Sequence, residues 1–277
     1  MGVFTTITLK EILHKKLFLI TVFVTIIYLC LYCITLQYAQ NALVTMENPV
    51  VKAVLIPQIL TAGLYFGSLL TAVFAIFATV SVLSGEIESG VMHTVVSGSV
   101  TRAQIVLGKF LGLSLIGIIY AALLFCGVTL AVQSITGNTV ESYFTALCTF
   151  SLLPVFLVSI TMAGSALLPT TANGIIIFTL YALSLIGGVV EQIATITENE
   201  VLLNMGILSS LMMPADSIYR KVTSLVVDSA NNPLAGLVML GPFGSQTEPS
   251  ALMMSYTVVY LFAALFLAVL IFQRRDI

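Results

Sequence analysis

Charged side chains are scarce in this sequence. They make up 8% of its 277 residues, while apolar residues make up 59%. A soluble domain carries roughly 25% charged residues, so this chain lacks the polar side chains that a water-exposed surface needs. The net charge of −2 also argues against nucleic acid as a partner. The composition therefore predicts an integral membrane protein.

The sequence also lacks the motifs of a catalytic or disulfide-bonded protein. It contains no His-Glu-x-x-His and no Gly-x-Ser-x-Gly pattern. Gly108 and Lys109 lack the glycine spacing and the following Ser or Thr of a phosphate-binding loop. Four cysteines within apolar runs are too few for a disulfide framework. We therefore predict no catalytic residue and no cofactor in this chain, and we assign any nucleotide hydrolysis to another chain.

Charge-free runs give the membrane spans, because a helix needs about 20 apolar residues to cross a bilayer. The uncharged run between Glu141 and Glu191 is long enough for two helices, and LLPTTANG (residues 167–174) divides it with a proline and turn-forming residues. The predicted fold class is all-α with six transmembrane helices. Their predicted ranges are about residues 17–36, 60–83, 110–132, 143–168, 174–193 and 251–272.

The basic residues indicate the orientation. With six spans both termini lie on one side, and that side holds seven of the ten Lys and Arg residues. Because Lys and Arg are enriched on the cytoplasmic side, both termini are predicted to be cytoplasmic. Most of the acidic residues then lie on the extracytoplasmic side.

Two further segments accompany the spans. Residues 6–16, TITLKEILHKK, fit a helix that lies along the inner leaflet with its basic end near anionic headgroups, although a plain basic flank is an alternative. Residues 195–250, between the fifth and sixth spans, contain short apolar pieces and a part rich in Gly and Pro. We predict a long extracytoplasmic loop whose short helices lie on the membrane surface.

Residues 84–104 form a polar, glycine-containing segment between two apolar spans. Glu86 and Glu88 lie near the start of a predicted helix, where exposed N–H groups favour carboxylates. Gly90 allows a tight bend, and Arg102 and Lys109 restore positive charge where the next span begins. The residues alone leave two alternatives: a rigid element that passes motion from a soluble partner to the membrane helices, or a solvated linker.

The same segment carries a family resemblance. SGEIESGVMHTVVSGSVTRAQIVLGKFLG (residues 84–112) resembles the cytoplasmic connection between the second and third helices of ABC-2 type permeases, the six-helix membrane subunits of ATP-binding-cassette exporters. LKEILHKK, MMPADSIYR (residues 212–220) and the closing FQRRDI also match in order. Relatives often have a proline before the basic residue, whereas SGSVTR has none. Within the family, the chain is most similar in appearance to permeases that serve nitrous oxide reductase maturation.

The resemblance implies a function and partners. The segment would be a coupling helix, including the apolar residues 91–96, and Glu86 and Glu88 would sit in a groove of a separate ATPase subunit. Two such ATPase subunits would bind ATP and Mg, and a second permease copy or homologue would complete the pathway in the plasma membrane of a prokaryote. The implied coupling residues are Gly85, Glu86, Glu88, Gly90, Arg102 and Lys109.

The cargo follows less directly from the residues. No acid or base lies in the middle of any predicted span, which argues against an ion path and favours a lipid, a peptide or another amphipathic cargo. Two other hypotheses stay open. One is an ATP-driven module that transmits motion to an extracytoplasmic partner protein, for example in metal or cofactor delivery, and the other is a structural membrane anchor.

Two more groups of residues in the sequence are candidate sites. Pro214, Asp216, Tyr219 and Arg220 are predicted either to cap the helices on the outer side or to form a docking face for an extracytoplasmic protein. CLYC places Cys30 and Cys33 one helical turn apart, a spacing that suits copper(I), although ordinary apolar filling is the favoured interpretation and we assign no metal site. Six methionines lie in or beside the outer loop: Met205, Met212, Met213, Met239, Met253 and Met254.

Overall fold

Six long helices dominate the computed structural model, which describes residues 2–14, 16–45, 49–90, 101–140, 142–227, 235–241, 243–245 and 247–275. Each is apolar and long enough to cross a membrane, which confirms the predicted all-α fold with six spans. They are α2 (Lys16–Thr45), α3 (Pro49–Thr79), α5 (Arg102–Thr136), α6 (Tyr143–Leu167), α7 (Thr170–Thr197) and α11 (Ala251–Arg274).

Within the described residues, shorter helices precede the first span or connect two spans. They are α1 (Gly2–His14), α4 (Ser84–Glu88), α8 (Glu200–Met212), α9 (Ala215–Val226) and α10 (Ala235–Met239). The helix predicted at residues 6–16 corresponds to α1, which packs against α5 and buries Thr8 and Ile12. Part of the predicted coupling helix, residues 91–100, lies outside the described residues.

The centre of the bundle consists of α3, α5 and α6. In the most apolar stretch of these helices, 56–61% of the residues are buried, against 33% in α7 and α11 and 11% in α2. The peripheral helices therefore leave most of their apolar side chains on the outside of the bundle, where lipid or another apolar surface contacts them.

The two ends of the bundle differ in composition. We call the end that carries Lys16, Arg102, Arg274 and Arg275 the basic end, and the end that carries the long connection between α7 and α11 the loop end. The start of α7 and the end of α11 both lie at the basic end, next to the end of α6. This arrangement places α4 at the basic end and α8, α9 and α10 towards the loop end.

The connection between α7 and α11 differs from the predicted surface loop. Helices α8 and α9 are bent by 105° at Met213 and Pro214, and α9 packs against α3, α6 and α7. Near the middle of α7, Ser184 accepts a hydrogen bond from the N–H of Asp216 at 3.3 Å. Helix α9 therefore enters the bundle and does not lie on the membrane surface. Its polar residues are compatible with this position because other buried polar groups pair with them.

Several helix boundaries follow directly from capping residues. Thr101 and Gln104 form a reciprocal capping box at the start of α5, and Gly137 ends that helix with a positive φ of 75°. Asn199 accepts backbone N–H hydrogen bonds at the start of α8, and Ser250 does so at the start of α11. The start of α7 has no such residue, because Pro169 precedes it and has no capping side chain.

Helices α7 and α8 approach each other closely at a glycine. A Cβ atom added to Gly206 would lie 2.8 Å from Glu191 Cβ and 3.0 Å from the Glu191 backbone nitrogen. Because the second neighbour is backbone, it cannot rotate away as a flexible side chain does. Because Gly206 has no Cβ atom, α8 can fold back closely along α7. This close approach determines where α9 enters the bundle.

We expect Gly206→Ala to destabilise the protein by about 1–3 kcal/mol, since overpacking a close contact costs an amount in this range. Circular dichroism of the purified chain during heating measures the effect, and it suits a protein without tryptophan. Gly236→Ala is the matched control, because nothing lies within 4 Å of a Cβ added there. Equal midpoints for the two variants would contradict the close packing.

Candidate functional site

Glu86 and Lys109 form an ion pair at the basic end. Lys109 lies on α5 with only 6% of its surface exposed, and its Nζ also donates a hydrogen bond to the Val82 carbonyl oxygen at 3.0 Å. The Glu86 carboxylate, on α4, supplies the opposite charge that a buried ammonium needs. This contact fixes the short helix α4 to the start of α5. Two predicted coupling residues are therefore partners of each other.

Glu88 caps a helix that belongs to another part of the chain. Its carboxylate accepts a hydrogen bond from the backbone N–H of Thr170 at 2.9 Å and one from the Thr170 hydroxyl at 3.3 Å. Thr170 is the first residue of α7, whose preceding Pro169 offers no side-chain cap. An acid at a helix N-terminus is favoured by the unpaired N–H groups and the helix dipole. Glu88 thus substitutes for the missing cap of the fifth span.

The break between α3 and α4 is held by side chains from α6 and α7. Ser165 Oγ accepts hydrogen bonds from the backbone N–H groups of Leu83 at 3.1 Å and Ser84 at 3.0 Å. Asn173 Nδ2 donates to the carbonyl oxygen of Val80 at 3.2 Å. Backbone groups that the helix break leaves unpaired are therefore satisfied by neighbouring spans, as a membrane interior requires.

Arg102 contacts the end of the last span. Its Nη1 donates to the carbonyl oxygens of Phe272 at 3.3 Å, Gln273 at 3.1 Å and Arg275 at 2.6 Å. Carbonyl groups at a helix C-terminus lack partners within the helix and favour a cation. Arg102 therefore fastens the start of α5 to the end of α11.

The glycines of the predicted coupling segment have different environments. A Cβ on Gly85 would lie 3.3 Å from Ser81 Cβ, which is a tight contact. Gly90 has a φ of 74°, in the left-handed region that other residues adopt at a conformational cost, and it comes after Ser89, the residue that ends α4. The chain therefore turns at Gly90 into residues 91–100. We call the contacts of Glu86, Glu88, Ser84 and Arg102 with the spans the basic-end junction.

A buried cluster of charges lies towards the loop end. Arg220 Nη1 is 2.8 Å from Glu191 Oε1, and Arg220 Nε is 3.1 Å from Asp216 Oδ2. All three side chains are buried, with 4% of Arg220 and 5% of Asp216 exposed. Glu191 lies on α7, while Asp216 and Arg220 lie one turn apart on α9. We call these three residues the loop-end triad.

Neighbouring polar groups support the triad. Thr247 Oγ1 accepts a hydrogen bond from Arg220 Nη1 at 2.8 Å and donates one to Glu191 Oε1 at 3.3 Å. Ser210 Oγ accepts a longer one from Arg220 Nη2 at 3.4 Å. The Tyr219 hydroxyl lies between carbonyl oxygens of Thr61, at 3.0 Å, and Phe243, at 2.7 Å. These contacts join α9 to α3, α8 and the segment before α11.

The four residues predicted as an outer-loop cap thus lie together and point inward. Pro214 precedes α9 at the bend after α8, and Asp216, Tyr219 and Arg220 are buried on that helix. Their predicted role, as an outer cap or a docking face, stays a prediction. Glu191 was missed as their partner, although an acid inside a predicted span is a recognised signal of a special site. Thr170 and Asn173 were also missed, because the turn signal of LLPTTANG says nothing about contacts with α4.

Within the part of the chain that the structure describes, the cysteines belong to no metal-binding group of His, Cys, Asp and Glu side chains. Cys30 is exposed and Cys33 half-buried on α2, and both are free thiols. In the described ranges, no group of three or more His, Cys, Asp or Glu side chains is placed to hold a metal ion. Met205 and Met212 line an apolar groove on the outside of α7 and α8. The weak metal candidates therefore gain no structural support.

The six long apolar helices define a multi-pass membrane protein. The chain belongs to the ABC-2 transporter family: the model of the ABC-2 family transporter protein matches residues 8–277. This match confirms the family resemblance and makes the chain an ABC transporter permease, a type of subunit that is generally non-catalytic and associates with ATPase subunits. No individual curated protein matches the chain. The resemblance to permeases of nitrous oxide reductase maturation therefore stays a prediction.

Removing the central cation of the triad should destabilise the fold strongly. Arg220→Met leaves two buried carboxylates without their counterion, and breaking a buried pair from one side costs about 3–5 kcal/mol. The adjacent Lys221→Met is the matched control, because Lys221 pairs with Glu248 at a much more exposed position. We expect that change to cost at most about 1 kcal/mol. Thermal unfolding of both purified variants measures the two losses of stability. Similar losses would contradict the prediction that the buried Arg220 contributes more than the exposed Lys221.

Proposed function

We propose that this chain couples ATP hydrolysis by two separate ATP-binding-cassette subunits to the movement of a lipid, a peptide or another amphipathic cargo. The basic end would face the cytoplasm of a prokaryotic cell, and the loop end would face the outside. A second permease copy or homologue would provide the other half of the pathway. The proposal rests on family membership and on the geometry of the basic-end junction.

The observation that carries the proposal is that residues around the coupling segment contact the ends of other spans. Glu88 caps the start of α7, and Arg102 caps the end of α11. Glu86 is paired with the buried Lys109 on α5. A displacement of this segment would therefore act on three spans at the same end of the bundle. A solvated linker does not need these contacts.

The positions of the acids refine the docking prediction. Glu88 is exposed and Glu86 is half-buried, so an ATPase surface can reach both while they keep their partners within the chain. The docking element would then include the turn at Gly90 and the residues that follow. In this arrangement Glu86 and Glu88 have two roles. They contact the ATPase, and they link the docking element to α5 and α7.

The proposal is tested with the chain and its ATPase subunit reconstituted together in lipid. For the double variant Glu86→Gln/Glu88→Gln we expect about thirtyfold or greater loss of ATPase affinity, because losing a buried charged partner at an interface costs about 2 kcal/mol or more. Glu198→Gln, an exposed acid at the end of α7 towards the loop end, is the matched control. Native assembly and a native rate of ATP hydrolysis in the double variant would contradict the proposal.

A second variant separates docking from transmission of motion. Lys109→Met keeps both acids but removes the ion pair that connects α4 to α5. We expect the complex to assemble while the permease-dependent part of ATP hydrolysis falls. Cargo movement into vesicles, measured alongside, distinguishes a transporter from a module that only transmits motion to an outer partner: the latter hydrolyses ATP without moving any lipid or peptide.

A further inference from the structure

An open groove of about 400 Å³ lies at the basic end, between the ends of α6 and α11. Helix α6 contributes Ala166 and Leu167, while α11 and the residue that follows it contribute Ile271, Arg274 and Arg275. Leu167 is 61% exposed, and Arg274 is exposed as well. A molecule outside the bundle can therefore reach both an apolar wall and two cationic groups. We call this site the basic-end groove.

One of the two arginines is held in place by the chain itself. Arg275 is half-buried, and its Nη1 donates a hydrogen bond to the carbonyl oxygen of Ala166 at 2.7 Å. The carbonyl oxygen of Arg275 accepts a hydrogen bond from Arg102 at 2.6 Å. In the described part of the chain, Nε and Nη2 of Arg275 have no partner. Because a guanidinium carries five N–H groups, Arg275 is positioned by one and keeps others for a ligand.

The positive charge at this groove has no acidic partner among the described residues. The ion pairs there join other side chains, and none includes Arg102, Arg274 or Arg275. Glu88, at the start of α7, is already bonded to Thr170. Two guanidinium groups on one groove favour an anion, and their planar arrays of N–H donors match the oxygens of a phosphate.

The apolar surface of α11 continues from the groove towards the middle of the span. Leu267, Ile271 and Arg274 are spaced by four and then three residues, so they lie on one face of the helix. Leu267 is exposed, and Ile271 is half-buried. This face is therefore apolar within the span and cationic where the span ends. A phospholipid has the matching order of groups, with an acyl chain inside the membrane and a phosphate at its surface.

We infer that the basic-end groove binds the phosphate group of an anionic phospholipid, with one acyl chain along Leu267 and Ile271. Arg275 supplies a positioned guanidinium, and Arg274 supplies a second one at the exposed side of the groove. The lipid would cover the apolar wall at Leu167 and would bridge the ends of α6 and α11, which Arg275 already joins. This inference goes beyond the proposed function and does not depend on it.

The same features disfavour other ligands. A zwitterionic phospholipid brings its own cation close to two guanidinium groups, which offsets part of the attraction of its phosphate. A soluble anion satisfies the charge but leaves the apolar wall uncovered. The enrichment of Lys and Arg on one side of a membrane accounts for basic residues at this end, but it does not require Arg275 to be held at Ala166.

The inference is tested on the full-length chain in dioleoylphosphatidylcholine vesicles. The sequence contains no tryptophan, so one introduced tryptophan reports only on its own surroundings. Leu267→Trp places it beside the expected acyl chain, and Phe23→Trp places it at an exposed position of α2 as the matched control. The two positions lie seven residues from Arg274 and from Lys16, respectively, and so at similar depths. Increasing shares of dibrominated phosphatidylglycerol or dibrominated phosphatidylcholine then quench the fluorescence.

The ratio of quenching by the two lipids measures the preference at each position. At Leu267→Trp we expect phosphatidylglycerol to be preferred by about fivefold or more, which corresponds to about 1 kcal/mol, the attraction of one basic residue near an anionic surface. At Phe23→Trp we expect a clearly smaller preference. Equal preferences at the two positions would overturn the inference, because diffuse attraction to the basic end would explain them. No preference at either position would overturn it as well.

Charge variants in the Leu267→Trp chain identify the site. Arg274→Gln/Arg275→Gln should remove the preference. Lys10→Gln/Lys16→Gln removes the same charge from exposed positions at the same end and should keep it. Arg274→Gln alone should lower the preference, and it breaks no contact within the described chain, so the inference stays testable if the double variant does not fold. A preference that survives the loss of these arginines would contradict the inference.

The double variant also separates a lipid site from a protein contact. If Arg274→Gln/Arg275→Gln keeps the preference for phosphatidylglycerol and instead weakens binding of the ATPase subunit, the groove belongs to a docking surface and the inference is wrong. If the variant loses the lipid preference while the ATPase subunit binds with native affinity, the groove is a lipid site. That second result would support the inference even where the proposed coupling function fails its own test.

Discussion

Within a bilayer, polar groups have no water to pair with, and this constraint organises both ends of the bundle. Each break in a span leaves backbone N–H or carbonyl groups that some other part of the chain has to satisfy. At the break after α3, Ser165 and Asn173 fill this need from neighbouring spans. At the start of α7, Glu88 accepts a hydrogen bond from the backbone N–H of Thr170, although the two residues are far apart in the sequence. The contacts that make the breaks possible also connect the spans to each other.

The same constraint explains how far the sequence alone predicts this molecule. Apolar runs give the number and approximate position of the spans, because a membrane crossing imposes length and composition locally. Contacts between helices carry no such local signal: Glu88 and Thr170 are separated by 82 residues. The position of α9 is the clearest case. Its sequence ADSIYRKVTSLV is polar enough to suggest a surface helix, but Asp216 and Arg220 are buried because Glu191 on α7 pairs with Arg220.

The candidate site also combines features that the sequence predicts with contacts that it does not. The acids and bases of residues 84–109 were recognisable as a group from the sequence, since they interrupt two apolar runs and resemble a family pattern. Their individual partners were not recognisable, because an ion pair such as Glu86–Lys109 depends on how α4 folds against α5. Glu191 was overlooked for a different reason, because its position in the sequence has an ordinary explanation. It lies near the end of an apolar run, where an acid is ordinarily explained by the membrane boundary.

The two polar regions differ in how easily they can be rearranged. Glu88 is exposed, and a carboxylate at an exposed helix N-terminus contributes only about 0.3–1 kcal/mol, so this contact can break and re-form during a conformational cycle. The loop-end triad is buried, and separating Arg220 from its acids costs several kcal/mol. A movement that starts at the basic end therefore changes the contacts of Glu88 before it disturbs the triad. In the proposed cycle, the triad would hold α7 and α9 together while the contacts at the basic end change.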